Sequence, residues 1–503
     1  MTIPLRPRGS TGDAAAARYA VDMAIPQRIA PLAARAASLL PTATGDRARF
    51  VASRRDLENS RPLREPRQLV ERLLRRADAA HAQGDSAAAV DWADKALQIL
   101  FHPQRHYGDA ISPLSRRGLE DLQPLRRSTV GRLLMTSPDP QREVRPGGSR
   151  VLVLAGRSWT FIDRVIKDLE GEETFEFRTR DLSELPVGER PSRRGVLEAR
   201  YEASTTGARI AAPPSLVEDL AWADVIWMEW ATYTATWLTL LDGIDARIVV
   251  RLHSYESFTP YPQMMDMAQV DELVFVAPQV RELVCASAPR AEQAGRISVV
   301  PNINNFSEMV SDKLPGAGRT LIQVGWANPV KDVEFTLDVL EDLRREDPSW
   351  TLLLAGSPIG EDDADPRSRR IRERLAAAGE AVEVLGFRED MPQVLRRAGY
   401  IVSASRHEAA HEAIAEGAAA GCVPVVRNWP EFAEWGGAAS MFPMDWIVTD
   451  ARGAADRIRS TADEGFDPAR EDARRWLFGE RDPEGTRRAY VRTLIGDHGT
   501  EKG

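Results

Sequence analysis

The stretch SRHEAAHEAIAEGAAAGCVPVV, residues 405–426, admits two readings that imply different folds. His407-Glu408-Ala409-Ala410-His411 is a literal H-E-x-x-H, the spacing that brings two imidazoles to one zinc ion beside a glutamate base. That chemistry needs a regular helix, so that both rings share a face. In the second reading Glu408 and Glu416, with seven residues between them, are two carboxylates near one helical face, just over two turns apart. Acids so placed accept hydrogen bonds from hydroxyls at two points along an extended ligand.

The flanking residues favour the second reading. The apolar run YIVSAS (400–405) ends one residue before His407, which puts His407 and Glu408 in the turn before a helix or in its first residues. A helix is expected from about Ala410 to Ala420, after which Gly421-Cys422-Val423-Pro424 turns the chain into the strand PVV. Glu431 or Glu434 would complete a zinc ligand set, but a strand-turn-helix unit does not aim both rings at one point. The plain alternative for Glu408, Glu412 and Glu416 is a solvated acidic face.

Outward from this unit the chain repeats the same rhythm. VLVLAG (151–156), TFEFRT (174–179), ADVIWMEW (223–230), ARIVVRLHS (246–254), ELVFVAP (272–278) and RISVVPN (296–302) are short apolar runs separated by helix-length stretches. After Pro315-Gly316-Ala317-Gly318 the pattern restarts with RTLIQVG (319–325), WTLLLAG (350–356), AVEVLGF (381–387), YIVSAS and VPVVRN (423–428). The fold class expected is α/β: two Rossmann-like domains, residues 150–315 and 316–470, facing each other across a cleft. Helices and a tail at 471–503 follow, able to cross back to the first domain. Ligands of such sheets bind beyond the carboxyl ends of the strands.

A small all-α region precedes these domains, at residues 65–144. Arg67 to Leu100 carries apolar residues at helical spacing on both sides of Gly84-Asp85-Ser86 and resembles one hairpin of a tetratricopeptide repeat. One hairpin cannot bury its own face; packing on its own chain is favoured, with a protein partner as the other occupant. Residues 1–64 read as a mostly disordered arm, in which Ile29 to Leu40 would form a short basic amphipathic helix. A plain tether is the favoured role for that helix, ahead of peripheral contact with a membrane face.

Composition narrows the functional classes. At 503 residues the chain exceeds a single core, and 66 basic against 75 acidic residues leave a net charge of −9, which argues against nucleic acid as a partner. Cys285 and Cys422 are too few for a disulfide framework. With neither an apolar signal segment nor a spanning run in the sequence, a cytoplasmic location is expected.

The pattern S-x-x-E-x7-E-G-x-x-x-G-x-P-V-V, on Ser405, Glu408, Glu416, Gly417, Gly421, Pro424, Val425 and Val426, resembles the signature of retaining GT-B glycosyltransferases of family 4. QVGWANPVKD (323–332) resembles that family's phosphate loop, SVVPNIN (298–304) its domain-closing stretch, and RLHSYE (251–256) the strand end where many members carry a cleft-facing histidine. The resemblance covers about residues 150–495 and implies transfer of a sugar from a nucleotide-diphosphate donor to a hydroxyl acceptor, with no metal or other cofactor. It implies roles in turn: Lys331 on the diphosphate, Glu408 on the donor sugar, Glu416 on the ribose, and Gly325 for close backbone approach. Trp326, Arg388, Ala410 and His411 would complete the donor side, with His253 and Gly156 on the acceptor side. The chain departs from the family pattern in three places. Trp326 replaces the usual arginine, whose charge Arg388, Arg406 or Arg427 would have to supply; Glu408-Ala409-Ala410-His411 replaces E-G-F-G; and Pro301-Asn302-Ile303-Asn304-Asn305 replaces P-N-G-V-D. These departures leave a GT-B-shaped binding or assembly protein as the alternative, with the zinc hydrolase behind it.

Overall fold

The computed structural model describes residues 42–108, 110–135, 143–156, 158–170, 174–304, 306–360 and 365–496. The amphipathic stretch 29–40, Asn305 and the acidic pair Asp362-Asp363 lie outside the described residues.

The described residues divide into two compact units, one ending at Glu65 and the other beginning at Pro66. In the first, Ala43–Glu58 is an α-helix, capped by the Thr42 hydroxyl accepting from the Gly45 amide at 3.1 Å. The expectation of a mostly disordered arm is corrected there: this cap starts a helix despite weak apolar periodicity.

The second unit opens with the hairpin Pro66–Ala82 and Ser86–Leu100. Gly84 takes a left-handed φ of +75° between them, and Asp85 caps the second helix by accepting from Ala88 at 2.9 Å. The apolar face of the hairpin is spent on its own chain. His81 Nδ1 lies 2.6 Å from the Tyr201 hydroxyl, on helix Arg193–Thr206, and Asp78 accepts from Ser128 Oγ at 2.7 Å and Val130 N at 2.8 Å.

Two six-stranded sheets follow, parallel throughout. The first comprises β1 (Arg150–Ala155), β2 (Glu176–Asp181), β3 (Val225–Glu229), β4 (Arg247–Leu252), β5 (Glu272–Phe275) and β6 (Ile297–Val299), in the order β2-β1-β3-β4-β5-β6. The second comprises β7 (Thr320–Val324), β8 (Thr351–Ala355), β9 (Val382–Gly386), β10 (Tyr400–Ser403), β11 (Val423–Arg427) and β12 (Ile447–Val448), in the order β12-β11-β10-β7-β8-β9. Interior strands such as β3, β4 and β10 are buried along their whole length because helices cover both faces. Edge strands β2 and β9 carry exposed positions. Each sheet reverses its winding once, between β1 and β3 and between β7 and β10, and such switch points are where ligands of doubly wound sheets bind.

After the second sheet, helix Phe466–Glu480 leads into helix Pro483–Ile495, which returns to the first domain. Tyr490 and Leu494 join Val151, Val153, Val225 and Trp227 in that domain's core, and the Tyr490 hydroxyl donates to Pro301 O at 2.9 Å. Among the described residues no helix is long and apolar enough to cross a membrane.

Candidate functional site

The switch point of the second sheet gathers the residues singled out in its sequence. Gly325 follows β7 with φ +74°, and the chain runs through a short turn, Pro329–Lys331, that Asn328 caps by accepting from Val330 N at 3.0 Å. Beside it, Ser405 and Glu408 follow β10. Lys331 Nζ lies 2.5 Å from Glu408 Oε1, and Ser405 Oγ donates to the same oxygen at 2.7 Å. A Cβ on Gly325 would sit 3.5 Å from Lys331 Cε, so the bare backbone here is packed against the lysine stem. The Glu408 side chain is 15 % exposed. Burial opposes its ionisation, but the Lys331 ammonium, His411 and the two hydrogen bonds outweigh it and hold the carboxyl down at about 2. Glu408 is thus a carboxylate, an acceptor only, throughout the neutral range.

Residues 408–411 form a loop, not the first turn of a regular helix. His411 has φ +43° and N-caps helix Glu412–Ala419, an αL position that glycine takes most cheaply and histidine tolerates better than most residues. Its Nε2 lies 3.3 Å from Ser403 Oγ, 3.4 Å from Ser405 Oγ and 3.4 Å from Glu408 Oε1. Burial lowers its pKa to about 4 against the pull of Glu408. Ala410 is buried in the same loop, and the amides that open helix Glu412–Ala419 follow it.

The two histidines of the H-E-x-x-H therefore part company. The ring of His407 packs on Tyr107, Phe258 and Phe432 at centroid distances of 5.4, 5.3 and 6.0 Å, whereas His411 faces serines, Glu408 and Trp429. Glu431 and Glu434, the would-be third ligands, bind other groups: Glu431 accepts from Ser112 N and Arg406, and Glu434 from Arg116 and Arg117. The geometry of a zincin is not formed, because the motif lies in a turn.

Glu416 is half-buried on helix Glu412–Ala419, its carboxyl raised by burial and by Glu412, with Arg164 of the first domain opposing. Glu412, named from sequence only within the alternative of a solvated acidic face, is a domain-joining acid. It accepts from Asn302 Nδ2 at 2.8 Å and from Asn304 Nδ2, and Arg251 in turn donates to Asn302 Oδ1. Gln279 also crosses from the first domain, its amide donating to Glu408 O at 3.2 Å and Ala409 O at 2.9 Å. Sequence reasoning placed Asn302 and Asn304 in the domain-closing stretch but not their bonds to Glu412, and it missed Gln279, since a lone glutamine carries no motif.

Two expected donor-side residues, Trp326 and Arg388, stand elsewhere, and the other two arginines offered for the missing charge are paired. Trp326 is 1 % exposed in the core of the second domain, with Val333, Leu354 and Val402, because the chain folds inward immediately after Gly325. Arg388 lies beyond edge strand β9, two strands away from β7, and holds Asp390 in a bidentate pair at 2.7 and 2.6 Å; its neighbour Phe387 is 76 % exposed. Arg406 and Arg427 are paired with Glu431 and Asp332, at 2.7 and 2.6 Å. None of the three arginines proposed to replace the missing charge is free of a carboxylate.

On the opposite sheet, Gly156 follows β1 into open space, with no atom within 4 Å of where a Cβ would stand. His253 ends β4 as a buried ring, stacked 4.1 Å from Trp230 and 5.1 Å from Phe161, with Nε2 2.9 Å from Glu229 Oε1. Burial lowers its pKa although Glu229 pulls the other way.

Residues 318–463 match the family model described as glycosyl transferases group 1. A GDP-mannose:cellobiosyl-diphosphopolyprenol alpha-mannosyltransferase of Xanthomonas oryzae pv. oryzae is 24% identical over 277 residues, covering 52% of this chain and 72% of the relative. Its counterpart in Xanthomonas campestris is 24% identical over 233 residues, 45% of this chain and 61% of the relative. Among solved structures, Anabaena HepE in complex with UDP and glucose superimposes with a TM-score of 0.51 at 14% identity, over 69% of this chain and 99% of that one.

Proposed function

We propose, from the premise that this chain is a GT-B protein whose second domain is of the glycosyl transferases group 1 type, that it transfers a sugar from a nucleoside-diphosphate donor to a hydroxyl acceptor. The observation that carries the reading is the Lys331–Glu408 pair, 2.5 Å apart at the switch point of the second sheet. An ammonium has three donors. One meets Glu408, leaving two for the oxygens of a departing diphosphate, whose charge is the main cost of breaking the glycosidic bond. Glu408, ionised and acceptor-only, suits the hydroxyls of the donor sugar, and the amides opening helix Glu412–Ala419 add donors where that helix dipole favours an anion. Glu416 is assigned to ribose hydroxyls, and Gly156 and His253 to the acceptor side.

Transfer with retention of anomeric configuration is part of the proposal, and it assigns no cofactor. The two Xanthomonas relatives are named for GDP-mannose and a diphosphopolyprenol-linked acceptor, which supports a glycoconjugate acceptor presented at a membrane face. A second reading, a nucleotide-binding protein without transfer, is favoured by one observation: Arg388, Arg406 and Arg427 are each paired with a carboxylate, as Lys331 is with Glu408, so a diphosphate would have to share every one of these cations with an acid. One experiment tests both. GDP-mannose, UDP-glucose, GDP and UDP are screened for thermal stabilisation, and donor turnover is measured for the parent and Glu408→Gln. The expected outcome is turnover reduced at least about 100-fold in the variant, with nucleotide affinity within about threefold of the parent. Equal turnover in the two proteins removes Glu408 from its role, and nucleotide binding without turnover by the parent selects the second reading.

A further inference from the structure

We infer that Glu431 is a positioning residue that ties the N-terminal helical region to the two loops carrying Lys331 and Glu408. The inference rests on the reading of that pair as the donor site. Glu431 is 1 % exposed. Its Oε2 accepts from Ser112 N and from Ser115 Oγ, both at 2.7 Å, and its Oε1 accepts from Arg406 Nη2 at 2.7 Å. Arg406, equally buried, donates its other terminal nitrogen to Gly108 O. One carboxylate and one guanidinium thus receive the segment that follows the helical hairpin.

The backbone of Arg406 carries this anchoring to the site. Its amide donates to Val330 O at 2.8 Å, and its carbonyl accepts from Glu431 N at 2.9 Å. Val330 precedes Lys331, and Arg406 stands two residues before Glu408. The peptide of Arg406 is therefore the point at which the β7 loop and the β10 loop are held in register. A buried ion pair with all these bonds satisfied has one geometry, because each lost partner would leave an unpaired polar group inside the protein.

The same N-terminal segment also grips the first domain. His106 stacks on Phe258 at 5.8 Å, Tyr107 stacks on Tyr255 at 5.5 Å, and the Tyr107 hydroxyl donates to Tyr255 O at 2.5 Å. On the second domain, Trp435 Nε1 donates to Ser115 O at 2.6 Å, and Arg116 pairs with Glu434 at 2.9 Å. Residues 102–108 and 110–117 thus brace both domains, and Glu431 is where the brace meets the loops of the candidate site. This gives the helical region a role in setting the geometry of the reaction, beyond capping the fold.

The test uses the full-length chain, Glu431→Gln, which keeps the shape and removes the charge, and the milder Ser115→Ala, which removes one donor from the same carboxylate. Hydrogen exchange is read on peptides covering 328–332 and 405–411, with 225–229 in β3 as the control. Exchange over both loops is expected to rise about tenfold in Glu431→Gln and about threefold in Ser115→Ala, with β3 unchanged. Affinity for GDP or UDP, by calorimetry, is expected to fall about fivefold in Glu431→Gln. Loosening confined to 110–117, or spread equally to β3, overturns the inference, as the first is mere attachment and the second general instability. If Glu431→Gln does not fold, Ser115→Ala decides on the same peptides. A parent that binds neither nucleotide overturns the donor-site reading alone, since the exchange pattern still reports on Glu431.

Discussion

His407 and His411 show how far a residue's surroundings override its motif. Both rings are held neutral by burial, with pKa values lowered to about 4, but only His411 has hydrogen-bonding neighbours; both nitrogens of His407 are buried with no partner among the described residues. The sign of the pH effect follows. The unfolded chain takes up a proton on His407 below about 6.5, and the folded chain refuses it until about 4, so the stability that this ring leaves intact above pH 6.5 is lost as pH falls through that window. The loss is about 1.4 kcal/mol per pH unit for one ring. His407→Phe should fit the aromatic surroundings of Tyr107, Phe258 and Phe432 and reduce the loss of stability between pH 6.5 and 4 by about 1.4 kcal/mol per pH unit, seen as a shallower fall of the thermal midpoint. A variant whose midpoint falls as steeply as the parent's would refute the assignment. The position of Glu408 was legible as a carboxylate just after a strand end. Its 2.5 Å ion pair with Lys331 was not, since it joins two loops that only the sheet order makes neighbours.

Among the elements, helix Glu412–Ala419 is packed closely on its sheet. Gly417 lies against β10, and a Cβ there would stand 2.5 Å from Ile401 Cδ1 and 2.7 Å from Cγ2. Gly417→Ala should lift the helix off the sheet at a cost of about 1–3 kcal/mol. The same displacement should weaken GDP or UDP binding, because Glu416 and the helix-opening amides move with it. A thermal midpoint and a calorimetric titration check both, and an unchanged affinity would place the nucleotide elsewhere. The strands were readable because continuous apolar runs are what a doubly covered parallel sheet requires. Two elements escaped: β12 is only two residues long, and helix Ala43–Glu58 has almost no apolar face to betray it. The docking of helix Pro483–Ile495 was only half visible, since Tyr490 and Leu494 are ordinary helix residues until the first domain's core receives them.

Across the whole second unit, a polar chain runs through the junction of the two sheets. Glu229 accepts from Trp227 Nε1 at 3.0 Å and pairs with Arg251 at 3.2 Å; Arg251 reaches Asn302, and Asn302 reaches Glu412. Arg251 is fully buried, and its charge is favoured by Glu229 against the penalty of burial. Arg251→Met would remove the buried charge that balances Glu229, leaving that carboxylate only Trp227 and His253, at a cost of about 3–5 kcal/mol. A thermal midpoint lowered by less than about 2 °C would show that the chain of contacts is dispensable. The sequence by itself determined the two parallel sheets and the helical hairpin, because hydrophobic periodicity is a local property. Tertiary structure alone decided that Trp326 is core, that Arg388, Arg406 and Arg427 are neutralised, that Glu412 and Gln279 join the domains, and that Glu431 anchors the N-terminal segment. The physical reason is that a charge or an amide finds its partner through space, and no period along the chain records which partner that will be.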